Sequence, residues 1–203
     1  ETDGESILPT PTVGMVGLLD DVARAVPHAF ASVNDVVALF GETRDELGRS
    51  EYLATVLGRD EGPCPLLDLL AIRSTVDLLV DLATDGLLSS AHDVSEGGLG
   101  VALAEAAIPN GLGADLNVET ALLPTVYLFS QSAPRVVVSF PPGNEKAVLE
   151  VARRHGVPTA FLGRVTKDRL RVSVSGNVVL DISVSALKQA SEEAFERMME
   201  VTA

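Results

Sequence analysis

Segments whose apolar residues recur with the period of a strand alternate along this chain with segments that recur with the period of a helix. Glycine or proline marks most of the switches. No other feature restricts the fold as much. Each helix must bury an apolar stripe, and a sheet face is the surface within reach. Residues 12–19 are apolar and β-branched, dotted with Gly14 and Gly17 and closed by Asp20 and Asp21, and read as a strand. Residues 35–40 read as a buried strand and 50–57 as a short helix. Residues 65–82 read as a long helix, with Pro65 tolerated in its first turn and Gly86 ending it. Its expected core side comprises Leu66, Leu67, Leu69, Leu70, Ile72, Val76, Leu79, Val80 and Leu82.

A strand over 87–93 leads through Ser95-Glu96-Gly97-Gly98 into an apolar helix over 99–108, which Pro109-Asn110-Gly111 terminates. A short strand at 114–118 and a short helix at 125–130 follow. Residues 135–140 form a strong strand pattern, and 144–155 an amphipathic helix with Gly156 behind it. Strands are expected at 159–164, 169–174 and 178–182. Ser175-Gly176-Asn177 is a hairpin connection between the last two, and 185–201 reads as a helix. The expected fold class is α+β, with mixed α/β layers and one sheet covered by helices.

At 203 residues with 46% hydrophobic content, the chain can bury a sizeable core. Aromatics are 4% and tryptophan is absent, so that core is expected from Leu, Val, Ala and Ile. Fifteen Lys and Arg against 29 Asp and Glu give a net charge of -14, which argues against nucleic acid and anionic membranes as partners. The acidic start lacks the basic and apolar regions of a signal peptide, and no apolar run reaches the length of a membrane span. One cysteine, Cys64, permits no internal disulfide and fits a reducing cytoplasm. Flanked by Pro63 and Pro65, with no base nearby in sequence, it reads as structural. The chain does not open on methionine, so the expectation is a piece of a longer polypeptide.

Two stretches could carry chemistry. In the first, the strand ending at His92 and Asp93 runs through Ser95, Gly97 and Gly98 into a helix. Glycines let backbone approach a ligand, and free helix N-terminal N–H groups attract anions, so the turn is a candidate phosphate or nucleotide site. The other reading is a tight turn, with Ser95 or Asp93 capping the helix. His92 and Asp93 are adjacent on a strand and point to opposite faces, which argues against a direct acid–base pair. In the second stretch, Ser130, Gln131, Ser132 and Arg135 place two hydroxyls, an amide and a guanidinium at a helix–strand junction. They can bind polar or phosphate atoms, or simply cap the helix and open the strand. No metal-ligand spacing links His28, His92 and His155.

Taken together and in order, several motifs resemble a known family. Glu1-Thr2-Asp3-Gly4 and then Ile7-Leu8-Pro9-Thr10-Pro11-Thr12-Val13-Gly14-Met15-Val16-Gly17 are similar to NET-x-G and I-x-PTP-x-x-GMVG. Leu47 to Tyr52 resembles LGGSEY, Pro65 to Leu69 resembles P-x-LDL, Ser90 to Leu99 resembles SAHDVSDGGL, and Leu128 to Ser139 resembles LFSES-x-x-R-x-VVS. Ala102-Leu103-Ala104-Glu105 and Gly163-Arg164-Val165 continue the match. The family is the small, bacterial-type phosphoribosylformylglycinamidine synthase subunit, of the aminoimidazole ribonucleotide synthetase-like superfamily. Departures are Arg49 in place of Gly, Glu96 in place of Asp, Gln131 in place of Glu, and Leu70 where an acid often follows LDL.

The resemblance implies a duplicated enzyme in which each half has an ATP-binding domain followed by an α/β domain. Residues 1–20 would be the tail of the second ATP-binding domain with its connector, and 21–203 the second C-terminal domain. The implied reaction is an ATP- and Mg²⁺-dependent ligation in purine biosynthesis, in the cytoplasm. ATP phosphorylates the formylglycinamide carbonyl oxygen, and ammonia attacks the carbon. The catalytic His and most Mg²⁺ ligands are implied to lie in the first half, so this chain alone is expected to be inactive. The implied partners are the rest of its own chain, a glutaminase subunit and a small bridging subunit. The apolar residues 13–19 are expected to pair with the domain's own sheet or with a second copy as a homodimer, because an exposed apolar strand edge invites association. The competing expectations are another superfamily member, of aminoimidazole ribonucleotide synthetase or selenophosphate synthetase type, or a non-catalytic α/β binding module.

Overall fold

A computed structural model describes residues 12–201, with side chains to residue 194. Seven strands form one sheet: β1 (Val36–Phe40), β2 (Ser90–Asp93), β3 (Gly113–Val118), β4 (Val136–Phe140), β5 (Thr159–Thr166), β6 (Arg169–Val174) and β7 (Asn177–Ser183). Their spatial order is β2-β4-β1-β5-β3-β6-β7. Every pairing is antiparallel except β3 with β6. Five helices accompany them: α1 (Leu69–Thr84), α2 (Gly98–Ala107), α3 (Pro124–Phe129), α4 (Glu145–His155) and α5 (Val184–Val201). The mixed sheet covered by helices is the α+β class expected from the alternation of periods.

All five residues of β1 and all five of β4 are buried, so the centre of the sheet is covered on both faces. Alternation sorts their side chains. Val37, Leu39 and Val137 face Leu99 and Leu103 of α2 and Leu128 of α3. Val36, Ala38, Phe40, Val136, Val138 and Phe140 face Leu78 and Leu82 of α1 and Val148 and Val151 of α4. The fully buried hydrophobic set holds Leu, Val, Ala, Phe30, Phe40, Phe140 and Tyr127, but no Ile. Phe30, Phe40, Phe140 and Tyr127 thus lie at the centre while Phe161 is exposed, and isoleucine contributes only a partly buried Ile182 against the core.

Three local expectations are corrected. Residues 12–19 form no strand and join no sheet, and Val16 and Leu18 are fully exposed. A β-branched run becomes a strand only beside a partner strand, and none of the described residues provides one. Residues 50–57 give only one wide helical turn, Tyr52–Val56. The long helix begins at Leu69, four residues later than expected. The Asp68 carboxylate accepts from the Ala71 N–H at 2.9 Å and starts it there, while Leu66 is held by Glu46. With that start, Thr75, Leu78 and Leu82 are the buried residues, whereas Leu66, Leu67, Leu69, Leu70, Val76 and Val80 are exposed. Among the described residues, no helix is long and apolar enough to cross a membrane.

Candidate functional site

The two stretches singled out in the sequence meet in space. The Val94 N–H donates to the Arg135 carbonyl at 2.9 Å, which ties the end of β2 to the start of β4. Gly98 opens α2 with a φ of +70. A Cβ on Gly98 would lie 2.7 Å from the carbonyl oxygens of both Leu128 and Ser130. The glycine is thus required by the approach of the α3 terminus as well as by its own dihedral. Gly97, at φ 76, is crowded by the Val101 side chain.

The second stretch is turned inward. Arg135 is 2% exposed, and its guanidinium donates to the Ser132 carbonyl at 2.8 Å, to the Thr43 hydroxyl at 3.1 Å and to the Ser130 carbonyl. Burial lowers its pKa to about 10. Burial also raises the pKa of neighbouring Tyr127. The Ser132 hydroxyl accepts from the Arg44 N–H at 3.0 Å, and Gln131 accepts from the Glu51 N–H at 2.7 Å. Arg44 reaches the Ala133 carbonyl and pairs with Glu46 at 3.0 Å. Burial pushes the Glu46 carboxyl up, but the Leu66 N–H, the Ser132 hydroxyl and Arg44 together hold it below its ordinary value. The Ser130 hydroxyl is buried and has no hydrogen-bond partner. Gln131, Ser132 and Arg135 therefore tie the loop leading into β4 to the loop that follows β1, and Ser130 contributes its carbonyl to Arg135.

The first stretch faces outward. His92 Nδ1 donates to the Asp93 carbonyl at 2.7 Å, and its Nε2 lies 3.4 Å from Glu105. The Asp93 carboxylate accepts from the Ser95 hydroxyl and stands 3.8 Å from His92 Nδ1, so the two side chains form no tight acid–base pair. Ser95 does not cap α2 through its side chain. Two residues join this cluster that the spacing gave no reason to connect. His28, from the segment before β1, packs edge-on against His92 with centroids 5.5 Å apart. Glu105, from α2, closes the far side. The third histidine, His155, lies elsewhere and bonds Asp81 at 2.8 Å. A groove of ≈ 550 Å³ is bounded by His28, His92, Asp93, Glu105, Ile108 and Ser191. A neighbouring groove of ≈ 390 Å³ is bounded by His92, Asp93, Ser95, Glu96, Ala102 and Glu105. Another cavity of ≈ 230 Å³, between Arg44, Asp68, Thr75 and Pro134, touches none of the residues singled out.

The electrostatics qualify an anion site. The Gly98 N–H already bonds the Ser95 carbonyl at 3.1 Å, and Asp93, Glu96 and Glu105 are exposed around the turn. A bare phosphate meets three carboxylates there. A ligand presenting hydroxyl or amino groups meets acceptors. Among the described residues, no three His, Cys, Asp or Glu side chains group as metal ligands.

A mixed sheet with helices on both faces, and a glycine turn leading from an edge strand into a helix, define an α+β domain of mixed layers. The chain belongs to the family described as AIR synthase related protein, C-terminal domain, whose model matches residues 32–175. It is 38% identical over 200 residues to the phosphoribosylformylglycinamidine synthase subunit PurL of Alkaliphilus metalliredigens, covering 98% of this chain and 27% of that protein. It is 41% identical over 194 residues to the PurL subunit of Carboxydothermus hydrogenoformans, covering 95% of this chain and 27% of that protein. The chain thus spans about a quarter of the length of these curated relatives. Among solved structures, T. maritima PurL complexed with FGAR matches with a TM-score of 0.74 at 22% identity, over 82% of this chain and 30% of that one. T. maritima PurL complexed with ATP matches with a TM-score of 0.68 at 22% identity, over 82% of this chain and 28% of that one. These structures establish the likeness of fold.

Proposed function

We propose that this chain is the last domain of an ATP-dependent ligase that converts formylglycinamide ribonucleotide, ATP and ammonia to formylglycinamidine ribonucleotide in purine biosynthesis. The observation that carries this is identity of 38–41% over nearly the whole chain to relatives named as that synthase's PurL subunit. Residues 1–20 are the tail and connector of a preceding ATP-binding domain, and 21–203 the domain itself. The ligase works in the cytoplasm with a glutaminase subunit and a small bridging subunit, in keeping with a relative solved as PurLQS.

ATP supplies the phosphoryl group and Mg²⁺ its neutralisation. The described residues group no metal-ligand set, so no step of the transfer is assigned to them. Their part is to bind and orient. His92, Asp93 and Ser95 present a polar rim, and Gly97 and Gly98 bring the backbone of α2 up to it. Asp93 and Glu105 suit the hydroxyl or amino groups of a nucleotide better than its phosphates. Ser130, Gln131, Ser132 and Arg135 act from behind, by fixing the loop against which Gly98 is seated.

The decisive experiment is complementation. The complete reading frame that contains this chain should restore growth without purines to a strain lacking the synthase, and the 203 residues alone should not. Failure of the complete frame, with normal expression, would overturn the proposal. For the rim, Asp93→Asn combined with Ser95→Ala in the complete polypeptide should weaken ADP or formylglycinamide ribonucleotide binding by calorimetry. Unchanged affinity for both ligands would remove the rim from the site.

A further inference from the structure

Helix α1 is apolar on two sides. Its buried side is Thr75, Leu78 and Leu82, packed on the sheet and α4. Leu69, Val76 and Val80 follow one another at seven- and four-residue spacing, which places them in a single stripe on the opposite side. They are 69%, 50% and 58% exposed. Leu66 and Leu67, before the helix, and Leu70, in its first turn, add to the exposed apolar surface at that end. Asp68 fixes this orientation by capping the helix, and the tie from His155 to Asp81 holds its other end to α4. The stripe therefore cannot turn inward without breaking the contacts that build the core.

Arg73, Ser74, Asp77 and Asp81 keep α1 from being apolar all round, yet several large apolar side chains stand exposed on its outward side. Singly exposed leucines need no explanation, but a row of exposed apolar side chains on one side of a rigid helix marks an interface. The same chain exposes a second apolar run at Val13, Met15, Val16 and Leu18, in the segment that leads into the domain. Both surfaces belong to a chain that spans 27% of the length of its relatives.

From these observations we infer that the outward face of α1, with Leu66 and Leu67, is the seat of the preceding part of the same polypeptide. The occupant presents aliphatic side chains to the stripe formed by Leu69, Val76 and Val80. Arg73, 77% exposed at its side chain, lies between Leu69 and Val76 on the same face and pairs with Asp77, so the face carries one ion pair among its apolar residues. This inference rests on the reading of the chain as one domain of a longer ligase.

The test is thiol accessibility in the complete polypeptide, with Cys64→Ser to remove the exposed native thiol. Val76→Cys and, separately, Lys146→Cys on exposed α4 surface are labelled in the folded protein, and each site is followed by mass spectrometry. Both positions are exposed here, so neither substitution disturbs the core. The expected result is labelling of Val76→Cys about tenfold or more slower than Lys146→Cys, unchanged on dilution, because labelling follows thiol exposure. Equal rates would overturn the inference. Protection that disappears on dilution would also overturn it, because it would identify a second copy as the occupant. Catalytic activity is not the readout, so a protected stripe in a polypeptide without amidine-forming activity would sink the functional reading and leave the interface standing. An active polypeptide with a freely labelled stripe would do the reverse.

Discussion

The turn at residues 92–98 and the loop at residues 130–135 contain much the same chemistry: serine hydroxyls, charged groups and an imidazole or amide. They use it in opposite ways. In the loop, Arg135 is surrounded by carbonyls of its own chain, and Ser132 and Gln131 are taken up by the backbone of Arg44 and Glu51. In the turn, Asp93, Ser95 and Glu96 stand in solvent, and the Ser95 hydroxyl donates to the Asp93 carboxylate. Burial makes the difference. A buried guanidinium must have its donors satisfied, and the nearest acceptors are the carbonyls of the loop it organises. An exposed carboxylate is satisfied by water and remains available to a ligand. Residue type alone therefore says little about which polar cluster is a binding surface and which is a structural joint.

The comparison breaks most readily at Arg135. Arg135→Met keeps much of the volume and removes every donor, leaving the Ser130 and Ser132 carbonyls unpaired. It should cost about 3 kcal/mol or more, the size expected when buried polar groups lose their partners. Urea unfolding measures it, and a loss below about 1 kcal/mol would show that the guanidinium does not hold the loops.

The contact between the two regions is tested next. Gly98→Ala places a methyl group against two carbonyls at a positive φ and should cost about 2–3 kcal/mol. Gly111→Ala, also at positive φ but with nothing within 4 Å, should cost about 1 kcal/mol. Equal losses in thermal melts would mean that the seat on α3 contributes nothing beyond the dihedral. Because Gly98 is buried under backbone, a bulkier substitution there reads folding rather than ligand approach.

A smaller effect belongs to Glu46, which braces the loop through Arg44 and the Leu66 N–H. Its folded pKa lies below the ordinary 4.5, so its stabilisation is complete above that value and is lost as pH falls through the folded pKa. Glu46→Gln should reduce stability by about 1 kcal/mol or less near neutral pH. The gap from the parent should close under acid. A gap that widens as pH falls would reverse the sign of the argument. Smallest of all, Asp93→Asn with Ser95→Ala should change stability by no more than about 0.5 kcal/mol, since both side chains are exposed. A loss of several times that in the same melts would make the turn a structural joint as well.

Much of the fold was legible because β1 and β4 are short, nearly unbroken apolar runs and α4 repeats its apolar residues with one helical period. The failures have separate causes. The start of α1 moved because one carboxylate, Asp68, caps more effectively than Pro65 nucleates. Its buried face was misread because large apolar residues fall on both sides of the helix, so their periodicity alone does not choose between them. Residues 12–19 carry strand composition, yet pairing requires a neighbour that composition does not supply. At the candidate site, the glycine turn was visible as a motif, and Glu105 could have been found in the Ala102 to Glu105 continuation. The approach of His28 could not, since only the packed sheet brings it to His92. The burial of Arg135 was equally hidden, because a guanidinium at a strand entrance reads as surface until the loop around it is seen.

The sheet's innermost pairing also bears on how the chain is made. Val36 pairs with Phe140, so β1 leaves the ribosome long before the strand beside it exists. Its other neighbour, β5, follows later still. During that interval a five-residue hydrophobic strand has both edges open, and only local helices can form around it. The domain cannot be assembled hairpin by hairpin from its N-terminal side. Nascent chains that stop short of residue 140 should be held by chaperones or lost to proteases, and those that pass residue 166 should close the centre of the sheet.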